Sequence, residues 1–557
     1  MLREFARHVV AIEAGSAGRP VPIVKISKNR WRTERPGAGP LDVSVTVYAL
    51  DESVRGAFLD TRRGYFNGAC LLLLAEGFEN SPAQITIEPP AAAECAAWRV
   101  ATSLTAVEVD ARGFGTYRAE SYDELIDHPV EISDYASVEF EACGVGHELV
   151  VAGRFDADLD RVAVDLRQLC ETQIRFFGAP PPFSRYRFLG LAVGDGYGGL
   201  EHRASSSLIF SRDDLPKPGE QGVPKSYQRF LSLASHEYFH AWHVKRTKPA
   251  AFMPYRLDRR NHTRLLWVFE GITSYYQDRF LLRSELIGVE AYLQRLGELL
   301  TRVYRTPGRH RQSIAESSFD AWDRLYKPDA NSPNAGVSYY TKGALTALAL
   351  DLTLRALARP TTLDAVIVAL WARYGARDRG VEEAGFEALV GEVAGVDLGA
   401  FFDRAVRSTE DLALEGLLAN LAVKLAWRSA SGPADPGGTP PGKDKPEVAN
   451  LGATFRGSDE GLKLATVFQD GPAERAGLNP GDLVIAIGGL KVNDRNLSGR
   501  LERLEIGERT EVHAFRGDEL IRVEAEWSAP PHDTCYLELD AAAAEDAVAR
   551  RRAWLGT

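Results

Sequence analysis

The sequence predicts a multidomain α+β chain, and three observations carry that prediction. Short alternating apolar runs fill residues 1–155, apolar residues at helical spacing dominate 156–419, and a proline- and glycine-dense stretch at 429–446 precedes a smaller strand-rich segment. At roughly 100–200 residues per domain, a chain of 557 residues has room for three or four such units.

Along the first segment, residues 41–48 (LDVSVTVY), 83–88 (AQITIE) and 137–141 (SVEFE) alternate with the period of a half-buried strand, predicting a β-sandwich-like domain over 1–155. The period changes at 156–177, where apolar residues recur at helical spacing. Helices are expected over 156–177, 227–245, 264–283, 289–304, 341–357 and 363–374, with one strand-like stretch at 201–210, so that 156–419 forms a mainly helical α+β domain. The run SASGPADPGGTPPGKDKP at 429–446 sustains neither helix nor sheet and reads as a flexible linker or long loop inside a domain at 420–530. In that domain a strand starts at 461–464 (GLKL). A short helix capped by Gly477 follows, the turn Pro480-Gly481-Asp482 leads into a buried strand at 483–487, and a helix is expected near 497–504. The tail, 531–557, is Ala- and Arg-rich over 539–554 and predicts a terminal helix.

Composition excludes several classes of function. Lys plus Arg number 66 against 77 Asp plus Glu, giving a net charge of −11 with no concentrated basic stretch, which speaks against a nucleic-acid partner or an anionic membrane surface. The five cysteines, Cys70, Cys95, Cys143, Cys170 and Cys535, are odd in number and contain no Cys-x-x-Cys pair, so they read as thiols in a reducing compartment. No apolar run approaches the roughly 20 residues of a membrane-spanning helix. The first ten residues carry charges and no apolar core of a signal peptide, so the expected location is the cytoplasm, or the periplasm if an N-terminal segment is missing.

The strongest chemical signal is His236-Glu237-Tyr238-Phe239-His240. Residues four apart share a helical face, so His236 and His240 can bind one metal while Glu237 takes a proton from the water that metal activates. A catalytic zinc needs a third protein ligand. Glu270 is the candidate, a lone carboxylate in the apolar and aromatic run WVFEGITSYY, where an acid asks for a cation. Two imidazoles and a carboxylate suit zinc. Nearby, Tyr275, Tyr276 and Trp242 read as core packing and His243 as a structural helix residue, while Lys245 and Arg246 read as partners of their own helix end.

HEYFHAWHVKR, WVFEGITSYY, SFDAW, SYYTKG at 338–343 and YGGLEH at 197–202 occur together. This combination, running from residue 1 to about 527, resembles the glycyl-aminopeptidase family of PDZ-containing gluzincin metallopeptidases, distant relatives of aminopeptidase N. The resemblance implies a β-rich N-terminal domain, a thermolysin-like catalytic domain and a C-terminal PDZ domain. It makes His236, His240 and Glu270 the ligands of one zinc per chain and Glu237 the general base. Tyr340 matches the catalytic tyrosine of a Tyr-x-Lys-Gly element, and Glu201, led by Gly198 and Gly199, matches the acid that binds the substrate amine. The 461–530 module looks like a PDZ domain, with a groove expected between the 461–468 strand and the 497–504 helix. Gly461, Leu462 and Leu464 would then shape the site for a peptide C-terminus or extended segment. The implied activity is a zinc aminopeptidase acting on peptides with a free N-terminus, glycine favoured and alanine next. Two alternatives are a zinc endopeptidase with PDZ-presented substrate and a non-catalytic PDZ scaffold; the intact Glu237 speaks against the latter.

Overall fold

The structure, a computed structural model, describes residues 3–33, 39–442 and 447–556. The last four residues of the expected linker, 443–446, lie outside the described residues. The chain divides into two compact units, Met1–Arg246 and Thr247–Thr557. No helix among the described residues is long and apolar enough to cross a membrane.

In the first unit, β1 (Val9–Ser16) pairs antiparallel with β2 (Leu41–Val47). Strands β3 (Ala83–Ile87), β4 (Thr105–Val109) and β5 (Gly115–Ala119) form an antiparallel sheet in the order β4-β5-β3. Its Ile87, Tyr117 and Ala119 share a core with Val100 and Val130 of a neighbouring four-stranded sheet, the two-layer packing of a sandwich.

A second architecture begins at β6 (Ala136–Ala142) and β7 (Val145–Gly153), continuing through α1 (Leu159–Phe177), β8 (Arg185–Val193), β9 (Tyr197–Glu201) and β10 (Ser205–Ser211). These strands make one sheet in the order β6-β7-β8-β10-β9, parallel from β7 through β8 to β10 and antiparallel at both edges. The expected boundary at 155 is therefore corrected: β7 pairs along its length with β8, so a cut there would split one sheet. Likewise the single strand-like stretch at 201–210 is two strands joined by a turn. Helix α2 (Lys225–Phe239) starts after Pro224 and packs Phe230 edge-on against Phe210 of β10, centroids 4.9 Å apart.

The second unit is helical over its first half, with α3 (Ile272–Arg283), α4 (Val289–Tyr304), α5 (Thr341–Arg355) and α6 (Leu363–Arg373), close to the expected spans. Helix α5 is buried over nearly its whole length, and its one acid, Asp351, is satisfied by Arg355, the Tyr275 hydroxyl and the Leu363 amide. After β11 (Val423–Arg428) the described part of the Pro/Gly-rich segment, 429–442, is a pinned loop. Arg428 donates to Thr439 O and to Asp435. Burial would raise the Asp435 pKa, but the bonds from Arg428 and from the Ser431 and Gly437 amides hold it well below the usual range.

The remaining chain runs β12 (Ala453–Gly457), β13 (Leu462–Val467), β14 (Leu483–Ile487), α7 (Leu497–Leu501), β15 (Arg509–Arg516) and β16 (Glu519–Glu526), in the sheet order β12-β13-β14-β15-β16. The expected peptide groove is corrected here. Strand β13 lies inside the sheet, bonded to β12 on one side and meeting β14 on the other, so no peptide can add along it. Leu462 and Leu464 are each 1% exposed in the module's core, and a Cβ on Gly461 would stand 2.6 Å from Val484 O. The edge strands are β12 and β16. Finally, β17 (Thr534–Leu539) pairs with β11, and α8 (Glu545–Leu555) buries Trp554 and Leu555.

Candidate active site

Helix α2 carries the HExxH residues on its last turn. Tyr227, Phe230, Leu231, Ala234 and Tyr238 are buried, and this anchors the helix. His240 is the residue after the helix but keeps helical dihedrals (φ −63, ψ −17), so the i, i+4 relation to His236 survives and the rings stand 4.6 Å apart. The Nδ1 of His240 lies 2.7 Å from the carbonyl of His243. A carbonyl only accepts, so Nδ1 carries the proton and Nε2 keeps its lone pair for a metal. His243 thus enters the site through its main chain.

The helix end is braced from beneath. The Gln173 amide of α1 donates to the carbonyl and hydroxyl of Ser235, the residue before His236, each at 3.0 Å. His147 of β7 bridges the Val145 carbonyl and the Tyr238 hydroxyl, both at 2.8 Å. Burial pushes its pKa down to about 4, so the ring is neutral and serves as a hydrogen-bonding strut. Trp242 stacks on Phe177 at 4.8 Å, in the packing role expected of it. Arg246 donates to Ala241 O at the helix end, but Lys245 reaches instead to Asp127 at 2.5 Å.

Strand β9 runs beside this helix end. A Cβ on Gly199 would stand 2.0 Å from Oε1 of Glu237, so glycine there leaves the carboxylate in its present position. Gly198, expected to act alongside it, faces open space. Two residues on, Glu201 offers a carboxylate oxygen that lies with one of Glu237 and a ring nitrogen of His240 within 4.8 Å of one another. Glu237 is 5% exposed. Two acids so close, in so dry a place, create strong demand for positive charge.

In the second unit, Glu270 sits half-buried in a π-helical turn, Trp267–Gly271, that leads into α3. Such single turns recur at functional sites because they re-aim a side chain within a helix. A Cβ on Gly271 would lie 2.7 Å from the Gly343 backbone, so this turn meets the start of α5 at closer than side-chain distance. Tyr340, capping α5, accordingly feels the Glu270 charge. Burial first, then Glu270, pushes the Tyr340 pKa well up and keeps it a phenol able to donate. Its hydroxyl lies 2.8 Å from that of Tyr326, which is 3.2 Å from that of Tyr339. Tyr326 was not predicted. It stacks on Trp322 of the SFDAW motif, whose indole donates to Asn261 O at 2.7 Å. Lys342 of the Tyr-x-Lys-Gly element turns away, donating to the carbonyls of Arg309 and Glu410.

A histidine-glutamate helix laid on a mixed five-stranded sheet, with a glycine-led edge strand against the glutamate, frames a site that more than one class of protein could carry. Comparison with known proteins narrows it. The M61 glycyl aminopeptidase family matches residues 229–346, the M61 N-terminal domain matches 1–134, and a PDZ domain matches 449–526. The crystal structure of an aminopeptidase N family protein from Idiomarina loihiensis is 39% identical, aligns over 100% of this chain and 93% of that one, and superposes with a TM-score of 0.95. An M1 zinc metallopeptidase mutant from Deinococcus radiodurans, bound to a Tyr-Ser-Ala substrate, is 15% identical over 72% of this chain and 85% of that one, with a TM-score of 0.46. No curated protein sequence matches. The chain belongs to the M61 glycyl aminopeptidase family and is a peptidase.

Proposed function

We propose that the protein is a zinc-dependent aminopeptidase that removes N-terminal residues, glycine favoured and alanine next, from peptides with a free amine. The observation that carries this reading is the meeting of Glu201, Glu237 and His240 under Gly199. One acid is needed for proton transfer; a second within 4.8 Å suits a bound ammonium, which an endopeptidase has no reason to hold.

We assign one zinc to His236, His240 and Glu270, the ligand set that the family resemblance implies. The donors fit: a ring nitrogen whose partner nitrogen is fixed by a carbonyl, a second imidazole four residues away, and a carboxylate. Bound there, zinc supplies Lewis acidity and lowers the pKa of water. Glu237 accepts the proton of the attacking water and delivers it to the leaving amine. Glu201 holds the substrate ammonium, fixing the scissile bond one residue from the N-terminus. Tyr340, locked neutral, donates to the oxygen that gains charge, a contribution of roughly 3 kcal/mol for comparable donors. The PDZ domain binds peptide in this reading, with β12, the edge strand beside β13, as the strand the peptide adds to. Five free thiols support a cytoplasmic location.

Metal analysis beside kinetics tests the assignment. The wild type should carry one equivalent of zinc, Glu237→Gln should keep it while turnover falls by orders of magnitude, and Glu270→Ala should lose it. A metal-free wild type, or zinc-loaded and active Glu270→Ala, would end the assignment.

A further inference from the structure

The first unit contains a large cleft, about 890 Å³, whose lining is unlike the rest of this acidic chain. Six arginines line it, Arg99, Arg112, Arg185, Arg187, Arg203 and Arg246, against the acids Asp110, Asp123 and Glu124. These arginines are scattered over some 150 positions, which is why no basic stretch shows in the sequence.

Five of them are anchored at three separate stations, while Arg112 faces Asp110 and donates to Ala96 O. Arg99 lies over the Tyr135 ring at 4.1 Å and donates to its carbonyl. Arg185 and Arg187 share Glu148. Arg203 pairs with Asp123 and Asp127, and beside it Arg246 donates to the carbonyls of Arg203, Ala241 and Pro182. Neither Arg99 nor Arg246 has a carboxylate ion pair among the described residues. Burial first, then the neighbouring Arg203, lowers the Arg246 pKa to about 10, while Asp127 opposes the shift. His128, 7% exposed, also lines the cleft and has an Nδ1 with no hydrogen-bond partner. Guanidinium groups fixed at separated points match a chain bearing several carboxylates better than one compact anion.

The same cleft is walled by Thr105, Ala106 and Val109 of β4. That strand is exposed at all five residues and ends its sheet, with β5 as its one strand partner among the described residues. Its free edge spans about 17 Å at the rise of an extended strand, enough for five residues of peptide.

We propose that this cleft is a docking site for an extended acidic peptide segment, which adds to the β4 edge and places its carboxylates on the arginines. It gives the chain a second peptide-binding surface apart from its PDZ domain.

The test is fluorescence anisotropy with the full-length protein and labelled N-acetyl hexaglutamate, checked by mass spectrometry to remain intact. Hexaglutamate should bind in low salt and be released as salt rises, while N-acetyl hexaglutamine should not bind. Arg99→Gln with Arg112→Gln should weaken binding at least tenfold, and each single change should weaken it measurably if the pair folds poorly. A hexaglutamate N-methylated at alternate amides should bind at least tenfold more weakly, because strand addition uses main-chain donors. Unchanged affinity in the arginine variants, equal binding of the N-methylated peptide, or displacement by tripolyphosphate at concentrations equal to the peptide's would each overturn the proposal, the last by showing a small-anion site.

Discussion

Tyr326 acts through another side chain. Its hydroxyl, 2.8 Å from that of Tyr340, orients a phenol that must donate in one direction. In the proposed mechanism Tyr340→Phe should cost about 10²–10³ in kcat, the loss seen when one oxyanion donor is removed. Tyr326→Phe should cost about tenfold in kcat, leave KM unchanged, and add nothing on top of Tyr340→Phe, as expected of a positioning residue acting through its neighbour. Additive losses in the double variant, read by steady-state kinetics, would give Tyr326 a separate task. Nothing in the sequence marks this pair, since a tyrosine fourteen positions before another shares no periodicity with it. The HExxH pair was legible for the opposite reason: its geometry is local, set by 3.6 residues per turn, and survives even though α2 ends one residue before His240.

Among elements, β9 shows how a backbone can carry function. Gly199→Ala should fold and retain zinc, yet its new Cβ would occupy the position of Glu237 Oε1 and drive the carboxylate aside. A displacement near 1 Å at a reacting group costs about 10² in rate. Gly198→Ala, whose Cβ meets open space, should leave Glu237 in place and serves as the control. Near wild-type turnover in Gly199→Ala would mean that Glu237 does not need its present position. The elements themselves were unequally readable. Helix α4 falls on its expected span because one apolar face repeats along it. Strand β8 (RYRFLGLAV) escaped notice because a parallel strand buried on both faces shows no alternation. Strand β13 was recognised as a strand but given a free edge it lacks, since strand order depends on chain far away in sequence.

For the whole molecule, the question is which parts can be removed. Every proposed catalytic residue precedes residue 428, which suggests that a truncation there would stay active. The fold argues otherwise. Removing the chain after Arg428 strips β17 from β11, the Cys535 amide from Thr301, and the fully buried Trp554 from Tyr275 and Arg279. Loss of a buried tryptophan alone costs about 3–5 kcal/mol. By contrast, Asn450 and Ser528 exchange both main-chain hydrogen bonds, so the ends of the PDZ domain are adjacent and the segment between them can be replaced by a short glycine bridge. The bridged protein should unfold near the wild-type temperature and hydrolyse short substrates, losing the contacts of Asn334 to Val467 and Gln469. The truncated one should unfold far lower or precipitate. Equal melting temperatures for the two would show that β17 and α8 are dispensable.

In the proposed function Glu201 holds the substrate ammonium and so makes this peptidase an aminopeptidase, a role checked by comparing kcat/KM for a glycyl anilide and its N-acetylated counterpart. The wild type should prefer the free amine by at least about a hundredfold, since a charge-assisted contact in a dry site contributes about 1.5–3 kcal/mol and the acetyl group also meets an acid. Glu201→Ala should keep its zinc, lose about 10–100-fold on the free amine, and show little preference between the two substrates. A wild type that cleaves both equally, or a Glu201→Ala variant that keeps the preference, would contradict the account.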